Sequence, residues 1–99
     1  MNIFFDETNP DTVLTAIKSA MGDRSLSKIV EFEMSDEILT VVISKVGKSK
    51  LFFDVNKTSH QLEFRFKKEK IALTHKAFKN EVTEKIVKVI EKAGGTVSN

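Results

Sequence analysis

Apolar positions follow two different spacings along the chain, and the switches between them mark the elements. Ile3, Phe4 and Phe5 form a short β-prone run within 1–6. From residue 10 the spacing becomes helical: Val13, Leu14, Ile17, Ala20 and Met21 fall on one stripe. Asn9 can cap this helix, Pro10 suits its first position, Asp11 sits at the positive end of its dipole, and Gly22 supplies a stop. The spacing predicts a helix over 10–21.

Alternation then takes over. In 27–34, Val30, Phe32 and Met34 alternate with Glu31 and Glu33, the pattern of a strand with one wet face. Residues 38–45 place Leu39, Val41 and Ile43 on one face and Ile38, Thr40 and Val42 on the other. Residues 50–55 bring Leu51, Phe53 and Val55 together, and 60–67 bring Leu62, Phe64 and Phe66 together against Glu63, Arg65 and Lys67. The connections are short enough to predict an antiparallel meander.

Segment 68–74 stays open between two readings. Ile71 and Leu73 continue a strand with flipped parity, which a turn or bulge near Lys67 to Lys70 explains. Ile71, His75, Phe78, Val82, Ile86, Val89 and Ala93 equally form a helical stripe, which Gly94-Gly95 ends. The tail 95–99 reads as frayed.

The expected architecture is one α+β domain over 1–99, in the order β-α-β-β-β-β-α. It is a two-layer domain, mainly an antiparallel β-meander with two amphipathic helices on one face. Ninety-nine residues can bury one core, and 40% apolar with 30% charged residues is a globular balance. The aromatics are eight Phe with no Trp or Tyr, which suits a core better than a base- or sugar-reading surface. Phe32, Phe53, Phe64 and Phe66 all fall on buried phases. The absence of Cys excludes disulfides, thiolate metal sites and cysteine nucleophiles. With no apolar segment after a basic start and no long apolar run, a cytoplasmic location and no membrane association are expected.

Charge sharpens this picture. Residues 1–44 carry three basic and eight acidic side chains, whereas 45–99 carry thirteen basic and six acidic. Lys45, Lys48 and Lys50 surround one turn; Arg65, Lys67, Lys68 and Lys70 end another strand. A meander returns these two groups to the same sheet end, a basic rim able to meet nucleic-acid phosphates or another anion. The commoner use of such lysines is solubility and protection of sheet edges.

Candidate chemistry is sparse. Val46-Gly47-Lys48-Ser49 contains the end of a phosphate loop, but Val42 stands where the first Gly belongs and a strand follows, so a hairpin turn is expected. His60 and His75 lack partners at metal spacing, and His75 reads as packed or capping. Asp6-Glu7 and Asp36-Glu37 fall in turns, and Ser25 and Ser27 have no base nearby in sequence. No catalytic residue, metal ligand or cofactor is expected, and the chain does not read as an enzyme.

Several strands are apolar on both faces. Ile38, Val42 and Phe52 oppose the core-facing set and form a candidate self-association face. The order of elements and the turn at Gly47 loosely resemble small bacterial polyhydroxyalkanoate-system proteins. No specific motif carries that resemblance, and it implies no activity or site residue here. The expected role is a small non-catalytic binding or regulatory module acting through protein–protein contacts, with itself as a homodimer or with another protein. The alternative is weak, phosphate-directed nucleic-acid binding by the basic rim.

Overall fold

The computed structural model describes residues 1–22, 24–35 and 37–98. Its elements run β1 (Asn2–Phe5), α1 (Pro10–Ala20), a single helical turn α2 (Arg24–Ser27), β2 (Val30–Met34), β3 (Ile38–Ser44), β4 (Lys48–Lys57) and β5 (Leu62–Lys70). A 3-10 helix (Leu73–Phe78), α3 (Lys79–Lys92) and β6 (Thr96–Ser98) complete the chain. The strands form one six-stranded sheet in the order β2-β3-β4-β5-β1-β6, with every neighbouring pair antiparallel. This is the expected α+β domain with two additions, α2 and β6.

The start of α1 follows its sequence signals. Asn9 keeps an extended backbone and its side chain accepts from Asp11 N–H at 2.9 Å, while Pro10 opens the first turn. Val13 and Ile17 of α1, with Val82, Ile86, Val89 and Ile90 of α3, are buried against the inner residues of the sheet. Those inner residues include Ile3, Phe5, Phe32, Leu39, Val41, Phe53, Leu62 and Phe64. Phe5 and Phe64 meet edge-to-face, with centroids 6.0 Å apart. Both helices therefore cover one face, and the core lies between that face and them.

The ambiguity at 68–74 resolves as strand, then 3-10 helix. Phe53 pairs with Phe66 and Phe52 with Lys68, so Lys67 is an extra, bulged residue on β5. The strand then runs on to Lys70, and α3 proper begins only at Lys79.

Two expectations are corrected. The strand expected over 27–34 starts at Val30, because Leu26 is buried under the end of the core and Ile29 N–H turns back to the Leu26 carbonyl at 3.0 Å. Within the tail expected to fray, Thr96–Ser98 pairs with Asn2–Phe4 as an edge strand, and Asn99 lies outside the described residues. Gly94, at φ +103, reverses the chain, and Gly95 packs where a Cβ would lie 2.7 Å from Ile90 Cγ2 and 2.8 Å from Phe5 Cζ. That approach lays the chain against the free edge of β1.

Candidate functional site

Helices on one side leave the other side of the sheet open. Strand register arranges its residues in rows across the strands. One row reads Glu31–Val42–Lys50–Lys70, and the next reads Glu33–Thr40–Phe52–Lys68. Each row passes from an acidic residue on β2 to a basic residue on β5; its centre is Val42 and Lys50 in the first row and Thr40 and Phe52 in the second.

The candidate self-association residues share this face. Ile38 and Phe52 are half-buried, and Val42 is only 7% exposed. Lys68 holds its ammonium 5.3 Å from the centroid of the Phe52 ring.

The residues of the expected basic rim divide three ways. Lys48, Lys50, Lys68 and Lys70 are exposed and form no ion pair among the described residues. Arg65 and Lys67 are locally neutralised, Arg65 Nε by Glu63 at 2.8 Å and Lys67 Nζ by Asp54 at 3.6 Å. Lys45 leaves the group: its ammonium sits 5.6 Å over the Phe78 ring, beside the start of α3. The hairpin turn carries the Lys45 backbone to the right end of the sheet, but its side chain goes to the helix side.

A second constellation lies under that turn, where sequence spacing gave no sign of it. Ser49 is fully buried and His75 is 2% exposed. Ala72 N–H donates to Ser49 Oγ at 2.9 Å, which directs the Ser49 hydroxyl proton to His75 Nδ1 at 2.5 Å. His75 Nε2–H is then free to donate to the Lys45 carbonyl at 2.6 Å. Thr74 hydroxyl adds a bond to the Val46 carbonyl at 2.7 Å. Gly47, at φ +125, completes the turn, and a Cβ there would lie 3.1 Å from Thr74 Oγ1 and 3.3 Å from Ala72 Cβ. All three polar atoms of the serine–histidine pair are used internally. The pair is a clamp that pins the β3–β4 hairpin to the start of the 3-10 helix.

The Gly47-Lys48-Ser49 sequence therefore lies in a hairpin with its serine buried, and it does not cradle a phosphate. His60 is exposed in the β4–β5 turn. Glu7 Oε1 accepts from the Thr8 and Asn9 N–H groups ahead of α1, so the Asp6-Glu7 pair belongs to a turn. Asp36 and the Ser25 side chain lie outside the described residues. No group of three His, Asp or Glu side chains among the described residues is placed to hold a metal ion. Phe66 departs from its expected burial: at 39% exposed it caps the edge of the core and meets Phe53 edge-to-face at 5.7 Å. No described helix is long and apolar enough to cross a membrane.

No protein-family model, no curated protein and no solved structure matches this chain, so the resemblance to polyhydroxyalkanoate-system proteins gains no support.

Proposed function

We propose that this protein is a non-catalytic binding module that acts through protein contacts on its open sheet face. One observation carries the reading. Among the described residues the helices cover one side of the sheet, and the other side carries half-buried Ile38 and Phe52, with Val42 buried beside them, between the acids of β2 and the lysines of β5. An apolar strip rimmed by charge is the usual composition of a protein contact surface. The serine–histidine pair supports the non-catalytic part, since its serine is sealed from any substrate and every hydrogen bond it makes is structural.

A photo-crosslinking side chain at Thr40, the centre of the face, tests this in living cells. The expected result is a discrete protein adduct, identified by mass spectrometry, that does not form when the same group replaces Ser19 on the exposed side of α1. No protein adduct from Thr40 refutes the reading.

A second reading rests on Lys48, Lys50, Lys68 and Lys70, which share the open face with Phe52 and form no ion pair among the described residues, Lys68 lying over the Phe52 ring. Phosphates would meet these lysines, and a base would stack on Phe52. Under it the Thr40 crosslink captures nucleic acid. Binding then weakens steeply with salt, and replacing Lys48, Lys50, Lys68 and Lys70 together by Gln flattens that slope.

A further inference from the structure

The open face is self-complementary, and we infer that its partner is a second copy of this chain, packed face to face about a two-fold axis parallel to the strands. The inference rests on the protein-contact reading of the open face and names the occupant. Charge placement selects the axis. In each row an acidic residue on β2 lies three strands away from a basic residue on β5, with the centre of the row between β3 and β4. A two-fold axis along the strands through that centre reverses the strand order and keeps the height along each strand. It sets β2 over the partner's β5 and β3 over the partner's β4.

Four contacts follow from the register. Glu31 faces the copy of Lys70, Glu33 faces the copy of Lys68, Val42 faces the stem of Lys50, and Thr40 faces Phe52. The same four recur on the other side of the axis, as an isologous interface requires. Ile38 meets Asp54, whose charge Lys67 already offsets at 3.6 Å. An axis across the strands fails, because it stacks β2 on β2 and sets glutamates against glutamates.

The remaining chemistry agrees. Glu31, Glu33, Lys68 and Lys70 are all exposed and form no ion pair among the described residues, so each is available across an interface. Aligned sheets pack about 10 Å apart at their centres and splay at their corners because each sheet twists. Short Val42 and Thr40 on β3 face the longer Lys50 and Phe52 of the partner's β4 near the axis, and the long charged pairs fall at the corners, where the gap widens.

The test is a reciprocal charge reversal, read by light scattering on gel-filtered protein at high micromolar concentration and low salt. Wild type should elute at twice the 11.2 kDa chain mass. Glu31→Lys/Glu33→Lys and Lys68→Glu/Lys70→Glu should each lose the dimer, with affinity lower by at least about tenfold. The positions are exposed, and circular dichroism should report unchanged folds. Mixing the two variants should restore a dimer, because each then faces the opposite charge. A wild-type monomer, a dimer indifferent to both reversals, or a mixture that stays monomeric overturns the self-pairing. Crosslinks from Thr40 to a different protein, with the wild type monomeric, would sink this inference while leaving the protein-contact reading intact.

Discussion

Replacing Ser49 by Ala removes one oxygen and should unfasten a whole corner of the molecule. The hydroxyl is the acceptor for Ala72 N–H and the donor to His75 Nδ1, so its loss leaves two polar groups unpaired next to a fully buried position. Each such orphan costs about 1–3 kcal/mol. Ala72 is only half-buried and can recruit water, so the expected total is roughly 2–4 kcal/mol. For a domain of this size that lowers the melting temperature by roughly 10–25 °C. Thermal and urea unfolding followed by circular dichroism measure it. Hydrogen exchange adds a local readout: the amides of Lys48 and Lys50, which flank Ser49 on β4, should lose protection before the rest of the sheet. A companion Ser49→Ala/His75→Phe variant removes both partners. It should cost about 1–2 kcal/mol less than the sum of the two single changes, since an apolar pair leaves fewer orphans. A Ser49→Ala protein within about 0.5 kcal/mol of wild type, or strictly additive single changes, would refute the clamp.

Two further changes probe the turns. Val46 is a β-branched residue held at φ +51 and 83% exposed, so Val46→Asn relieves backbone strain at little loss of packing. It should stabilise the fold by about 1 kcal/mol, and a lowered melting temperature would count against the turn geometry. Gly95→Ala drives a Cβ into Phe5 and Ile90 and should cost about 1–3 kcal/mol, with β6 amides losing exchange protection first. An unchanged melting temperature would show that β6 is not held by that close approach.

What was legible in the sequence was local. Helix α1 carries its cap, its proline and its stripe within a dozen positions, and the β2–β5 meander repeats one alternation through short turns, so both emerge from spacing alone. The two-faced patterns of 38–45 and 50–55 likewise placed Ile38, Val42 and Phe52 on a single face. The rest depends on distant partners. Strand β6 has three residues and little apolar signal, and its existence rests on Gly95 meeting Phe5 from the other end of the chain. Ser49 and His75 are 26 positions apart and belong to no motif. Lys45 shows how end and face differ: spacing sets its height along the sheet, but only the position of Phe78 shows that its side chain turns toward the helices.

The bulge at Lys67 links the local pattern to the open face. Strict alternation after the inward Phe66 would send Lys67 outward, Lys68 inward, Glu69 outward and Lys70 inward. The extra residue lets Lys67 and Lys68 both point outward, Lys67 toward Asp54 and Lys68 over Phe52. Glu69 then turns to the helix side, where it meets Lys79 Nζ at 2.7 Å at the start of α3. Lys70 comes out opposite Lys50. Without the bulge, Lys67 would end the Glu33 row and Glu69 would stand opposite Lys50, so the Glu31 row would end on an acid rather than on Lys70. One backbone irregularity thus ends both rows on a lysine and ties α3 to β5 at the same point. A sheet surface used only for solubility needs neither consequence, whereas a surface that docks its own copy needs opposite charges at equal heights on β2 and β5.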